Sequence, residues 1–380
     1  MEEAVAQVVA PQDANDVKLR KLYDRALQIR NTSYELEKSQ QEEKRAKEKA
    51  VENVEDVWKR GYGSATQITW LYLALLRAAG FEAYGCWVAD REHYFFNPKT
   101  EQSEKLDTNV VLLKLNGHDL YFDPGAAFTP YGLLPWTETR TAGLCLDKNG
   151  GFWIETPLPA SSDSASEYQA KLKLSPAGDL EGTLRLAYSG LEAMDWRLDM
   201  LHSDDVERKR ALEAYVKEQI SRPAEVELTN KPDWRSTGPP LIAEFAVKIP
   251  GWTSDAGKRA VFPVGIFTAS EKHLFENGER TTPVYFPYPS ARIEDVTIEL
   301  PTDWNVNSVP QDEDRDGRDV RYSFKVEMRQ NKLHFMRKLN VDVFMLGVNQ
   351  YANLRNFFQI VRRADDQQII LQPATTQTGN

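Results

Sequence analysis

Gly61-Tyr62-Gly63-Ser64-Ala65-Thr66-Gln67-Ile68-Thr69-Trp70-Leu71-Tyr72-Leu73-Ala74-Leu75-Leu76-Arg77-Ala78-Ala79-Gly80-Phe81-Glu82-Ala83-Tyr84 reads as a turn, a long apolar helix and the start of a strand. Ser64 stands just before the apolar run, where its hydroxyl can accept a hydrogen bond from an exposed backbone amide, a cap typically worth ~1 kcal/mol. Upstream, residues 16 to 29 place Leu19, Leu22, Tyr23 and Ala26 on one helical face, and Val51, Val54, Val57 and Trp58 repeat the pattern. These stretches are expected to be helices packed around the central one.

Downstream, residues 86–88, 110–115 and 119–122 read as strands, with Asn116-Gly117 a type I′ turn between the last two. A Pro/Ser-rich stretch at Leu158-Pro159-Ala160-Ser161-Ser162-Asp163-Ser164 reads as a linker, dividing the chain into residues 1–160 and 161–380. Beyond it, residues 168–174 and 182–188 alternate apolar and polar side chains around a turn at Pro176-Ala177-Gly178-Asp179. A helical stripe of Val206, Leu212, Tyr215, Val216 and Ile220, capped by Asp204 or Ser203, marks a helix near 204–220. Residues 241–249, 261–267, 296–300 and 333–339 return to strands. The expected fold class is α+β, with a helix-containing first domain followed by an antiparallel β-sandwich carrying a helical insertion.

Several landmarks in order resemble bacterial transglutaminase-like proteins, whose papain-like domain lies between β-rich domains. The first is residues 61–84. Leu115-Asn116-Gly117-His118-Asp119-Leu120-Tyr121-Phe122-Asp123-Pro124 resembles the hairpin and Asp-Pro segment that present the family's third catalytic residue, and Tyr131-Gly132-Leu133-Leu134-Pro135 follows at the expected spacing. Thr282-Pro283-Val284-Tyr285-Phe286-Pro287-Tyr288-Pro289 and Ile298-Glu299-Leu300-Pro301 resemble the C-terminal β domain. The resemblance implies a papain-like core, with the family's N-terminal β domain absent from this chain.

Chemistry of that family needs a thiolate at a helix N-terminus, an imidazole to carry the proton, and a carboxylate to fix the imidazole tautomer. Where the family carries Gly-Asp-Cys-Lys-Asp, this chain has Gly63-Ser64-Ala65-Thr66-Gln67, so Ala65 stands at the nucleophile position. A gapless count back from Asp123 puts Thr108 at the histidine position, and a one-residue slip puts Asn109 there. Neither is a general base, and the resemblance implies a pseudoenzyme with degenerate triad positions Ala65, Thr108 and Asp123. The competing reading is displaced chemistry, a hydrolase or acyltransferase using Ser64 with His93 as base.

Cys86 and Cys145 both fall in apolar strand-like runs, which fits buried thiols, while a disulfide between them stays open. The five histidines show no metal-ligand spacing, and no cofactor is expected. Asp312-Glu313-Asp314-Arg315-Asp316-Gly317 supplies oxygens at alternate positions before a glycine, making Asp312, Asp314 and Asp316 calcium candidates. Ser323 stands where a calcium loop places its bidentate glutamate, so a solvated charged hairpin loop is the competing reading. The aromatics of residues 284–289 either line a groove for peptide or glycan or seal an inter-domain seam.

The length of 380 residues fits two or three domains, and 41% hydrophobic residues suffice for real cores. A net charge of -10 argues against nucleic acid, which would require a basic face. The basic stretch Lys44-Arg45-Ala46-Lys47-Glu48-Lys49 lies among acids and reads as a solvated, ion-paired helix. No apolar run is long enough to span a bilayer, and the sequence from Met1 lacks the basic segment and apolar core of a signal peptide. Family members are commonly exported, so the resemblance implies a periplasmic or secreted protein, with no signal peptide in this chain. A polypeptide or cell-wall ligand is the implied partner, and a purely architectural role is a third reading beside binding and displaced catalysis.

Overall fold

The computed structural model describes residues 1–36, 49–100, 102–256, 259–271 and 273–373. It is α+β with mostly antiparallel sheets, divided into two compact units. The first comprises residues 1–159, 194–202 and 235–239, and the second holds the remaining residues. Of the mixed-charge stretch, residues 44–48 lie outside the described residues.

In the N-terminal unit, helices α1 (Asn15–Leu27), α2 (Val54–Arg60) and α3 (Ala65–Ala78) pack on a five-stranded antiparallel sheet. Its strands are β1 (Glu82–Val88), β2 (Thr108–Leu115), β3 (His118–Phe122), β4 (Ala142–Asp147) and β5 (Gly150–Glu155), in the order β3-β2-β1-β4-β5. The helix α3 stripe Ile68, Leu71, Tyr72, Leu75 and Leu76 is fully buried. Each such side chain contributes about 1.5–3 kcal/mol by leaving water. The hairpin between β2 and β3 turns on Asn116 and Gly117, both at positive φ (52° and 80°), as a type I′ turn requires.

Side-chain alternation gives the sheet two apolar faces. Val111, Leu113 and Phe122 pack on the helices, whereas Cys86, Val88, Val110, Leu112 and Cys145 form a second cluster with Leu134. Cys86 and Cys145 sit directly opposite each other on β1 and β4 and are joined in a disulfide. The open question at these cysteines is thereby settled against free thiols, because pairing of two strands distant in sequence brings the residues into register.

The C-terminal unit is built on an eight-stranded sheet. Its strands are β6 (Ala165–Leu174), β7 (Leu180–Tyr188), β8 (Glu225–Leu228), β9 (Leu241–Ile249), β10 (Ser290–Glu299), β11 (Glu313–Asp316), β12 (Val320–Arg329) and β13 (Lys332–Val341). They run in the order β8-β9-β7-β6-β10-β13-β12-β11. A separate four-stranded sheet is formed by Ser254–Ala256, Arg259–Pro263, Gln368–Pro373 and Trp304–Ser308. The expected purely antiparallel sandwich is corrected at one place: β6 and β10 pair in parallel, which the long connection between them permits. Helix α4 (Asp205–Gln219) starts at a capping box in which Asp204 Oδ1 accepts from the Val206 and Glu207 amides, each at 2.8 Å. Helix α5 (Tyr351–Asp365), absent from the sequence reading, buries Tyr351, Leu354, Phe357, Phe358 and Val361.

One polar cluster lies in this unit's interior. Arg337, 3% exposed, donates from Nε to Asp365 Oδ1 (2.8 Å), from Nη1 to Glu294 Oε1 (3.1 Å), and from Nη2 to Asp365 Oδ2 (2.9 Å) and Glu271 Oε2 (2.5 Å). Arg292 bridges Glu294 (3.1 Å) and Glu271 (3.2 Å). Burial alone would push Glu271 up, yet the two guanidiniums hold its carboxyl below the usual range. The aromatic run at residues 284–289 makes contacts within this unit, with Phe286 edge-on to Phe275 and Val284–Tyr285 paired with Met345–Leu346, and Tyr285 is exposed.

Candidate functional site

The N-terminus of α3 is held by a capping box. Ser64 Oγ accepts from the Gln67 amide (3.3 Å), and Gln67 Oε1 accepts from the Ser64 amide (2.9 Å). Ser33 Oγ accepts from the Ala65 amide at 3.0 Å, and Gln67 Nε2 donates to Val51 O at 3.0 Å. The Ser64 hydroxyl is therefore used as a cap. His93 lies on the loop after β1, its side chain 66% exposed and its Nδ1 3.6 Å from Asp90 Oδ1. Asp90, Glu92 and His93 are the group of metal-ligand type among the described residues, with Asp90 half-buried and Glu92 and His93 exposed.

Asp123 follows β3 and turns inward. Its Oδ1 accepts from Thr69 Oγ1 of α3 and from the Gly125 amide (2.9 Å), and its Oδ2 accepts from the Ala126 amide (3.2 Å). Thr69 Oγ1 also lies 3.2 Å from Ala65 O, which ties the carboxylate to the first turn of α3. Gly125 makes this approach feasible, because a β-carbon there would stand 2.2 Å from Ala65 O. Replacing Gly125 with alanine is expected to destabilise the N-terminal unit by roughly 1–3 kcal/mol through overpacking. A urea midpoint unchanged from wild type would refute that close approach.

Register separates the two residues considered for the histidine position. Asn109 pairs with Trp87, and with Val111 and Leu113 it belongs to the strand face turned toward the helices. Thr108 points to the other face, and its Oγ1 donates to Glu138 Oε1 at 2.6 Å. Glu138, in the short 3₁₀ turn Trp136–Glu138, is 3% exposed, and its Oε2 has no hydrogen-bond partner among the described residues. Burial pushes Asp123 up to about 6, against the opposing bonds from Thr69, Gly125 and Ala126. Burial, then the charge of Asp123, pushes Glu138 well above the carboxylate range.

Ala65, Thr69 and Asp123 are thus linked, and Thr108 is bonded to Glu138; Asp123 and Glu138 are buried, Ala65 and Thr108 half-buried. Sequence reasoning missed Glu138. Its one signal was position, three residues after the Tyr131–Pro135 landmark, and nothing in that spacing announces a turn that meets Thr108.

Of the calcium candidates, Asp314 and Asp316 lie on β11, residues 313–316, which pairs with β12 where a loop was the competing expectation. Alternate residues of a strand stand roughly 7 Å apart. Asp316 Oδ1 accepts from the Arg318 amide, and Asp312 Oδ1 accepts from the Val326 amide.

A family model described as a domain of unknown function with a solved structure, DUF3858, matches residues 258–371. This segment carries Glu271, Arg292, Glu294, Arg337 and Asp365, the whole charged part of the interior cluster. No curated protein matches the chain. Among solved structures, a "putative protease" from Parabacteroides distasonis ATCC 8503 is similar in fold, with a TM-score of 0.51 at 12% identity. The similarity covers 98% of this chain and 55% of that one, so this chain spans about half the length of that relative. No described helix is long and apolar enough to cross a membrane.

Proposed function

We propose that the N-terminal unit is a transglutaminase-like, papain-like core that has lost its chemistry, and that the chain serves as a binding or scaffold module for a polypeptide or cell-envelope partner. The observation that carries this reading is the cluster at the start of α3. Where a thiolate would stand there is the Ala65 methyl, and the Asp123 carboxylate, 5% exposed, is satisfied by Thr69 and backbone amides rather than by an imidazole. The Ser64 and His93 alternative draws no support from the geometry, since one is a cap and the other pairs with Asp90 on an exposed loop. For binding, the open face of the eight-stranded sheet offers a cleft of about 470 Å³ lined by Lys171, Arg185, Glu244 and Asp295, a polar surface suited to a polypeptide. The Cys86–Cys145 disulfide supports an exported location, because such bonds persist in oxidising compartments.

The test is turnover of peptide, ester and acyl-transfer substrates by the purified chain. No activity above background is expected for wild type or for Ala65→Cys, since restoring a thiol supplies no base. Wild-type turnover abolished by Ser64→Ala or His93→Ala would overturn the pseudoenzyme reading.

A further inference from the structure

Strand β5 (Gly150–Glu155) closes one edge of the five-stranded sheet, and its outer side pairs with no other described strand. An edge presents a row of backbone N–H and C=O groups to solvent, which proteins blunt with charges, bulges or very short strands. The eight-stranded sheet does so at both ends. Its edge β11 reads Glu313-Asp314-Arg315-Asp316, and its edge β8 carries Glu225 and Glu227 in four residues. In the four-stranded sheet, the edge Trp304–Ser308 breaks register between Val306 and Ser308. By contrast, β5 reads Gly150-Gly151-Phe152-Trp153-Ile154-Glu155, three large apolar residues in a row and one charge, which Arg140 neutralises. Trp153 is 50% exposed, and Leu146, on the same sheet face of neighbouring β4, is 51% exposed.

We propose that β5 is a self-association edge: two copies of this chain pair through residues 151–155 in antiparallel register about a twofold axis, joining their five-stranded sheets edge to edge.

The occupant follows from the strand's own pattern. Residues directly opposite each other in an antiparallel pair share a sheet face. A twofold axis perpendicular to the sheet at Trp153 therefore sets Trp153 against the partner's Trp153 on one face, and Phe152 against the partner's Ile154 on the other. Gly151 meets the partner's Glu155, so no like charges face each other. Aromatic–aromatic and aromatic–β-branched pairs are among the favourable cross-strand combinations. A one-residue slip would oppose side chains from different faces, which the twofold forbids. One strand edge offers a small contact area, so the dimer belongs at the weak end of association, dissociating between ~10 µM and ~1 mM. Each copy carries a net charge of -10, so long-range repulsion opposes pairing and salt relieves it.

Sedimentation equilibrium of the full chain, disulfide intact, tests the edge. The apparent mass should climb toward twice that of the monomer as concentration rises through that range, and added salt should tighten the dimer. Trp153→Lys places two ammonium groups opposite each other and should weaken it more than about tenfold. A wild type that stays monomeric throughout, or a Trp153→Lys dimer as tight as wild type, overturns the proposal. A second readout uses wild type alone, so it serves even if the variant does not fold. Hydrogen exchange in peptides spanning residues 150–155 should slow as protein concentration rises, whereas exchange in peptides of β11 should not. Exchange at 150–155 that is independent of concentration overturns the pairing.

Discussion

Replacing Arg337 with methionine is expected to destabilise the C-terminal unit by about 3–5 kcal/mol, the cost of breaking a buried ion cluster by removing one partner. Arg337 meets Glu271, Glu294 and Asp365 in the folded protein; after the substitution Glu271 and Glu294 would keep Arg292, while Asp365 would keep the Tyr322 hydroxyl and lose its guanidinium. Methionine replaces much of the packing volume, so the loss reports the orphaned charges rather than a cavity. Part of it should return when Glu294→Gln and Asp365→Asn are added, because the repulsion they relieve is then absent. Arg329→Met is the control. Arg329 pairs with Glu327 at 80% side-chain exposure, where such pairs contribute about 0–1 kcal/mol. If the urea midpoints of the Arg337 and Arg329 variants fell together, the cluster would not be a stabilising centre.

The second large effect is expected at the disulfide. Cys86 and Cys145 are 59 residues apart in sequence, and closing a loop of that length removes unfolded-state entropy equivalent to roughly 4 kcal/mol in the chain-entropy model. A Cys86→Ala and Cys145→Ala double variant should therefore lose about 2–5 kcal/mol from the N-terminal unit while leaving the C-terminal one unchanged. Domain-resolved hydrogen exchange at intermediate urea separates the two units. Equal losses in both would show that the bond acts by some route other than constraining its own loop. Both sulfurs are in fully buried residues, so the native bond should also resist mild reductant until the unit opens.

Local rules made much of this protein legible. The cap at Ser64, the Asn116-Gly117 turn, the α4 stripe with its Asp204 cap, and the alternation through β6 and β7 are each written in short stretches whose physics does not depend on distant residues. Helix α5 was legible and went unread, since Tyr351, Leu354, Phe358 and Val361 recur at helical spacing beside the exposed Arg363 and Asp366. The acidic run at 312–316 is ambiguous for a local reason: alternating carboxylates suit both a calcium loop and the exposed edge of a sheet, and pairing with β12 is a tertiary fact.

Sequence by itself determined where the helices begin, which faces they bury, and that alanine rather than cysteine stands at the start of α3. Tertiary structure decided everything that depends on two segments meeting. Strand register joined Cys86 to Cys145, parallel pairing placed β6 beside β10, and Thr69 of α3 met Asp123 at the end of β3. The physical reason is the range of the interactions. Capping and amphipathic periodicity act within a few residues of chain, whereas the buried Asp123 contacts and the Arg337 cluster arise where residues far apart in sequence are desolvated together.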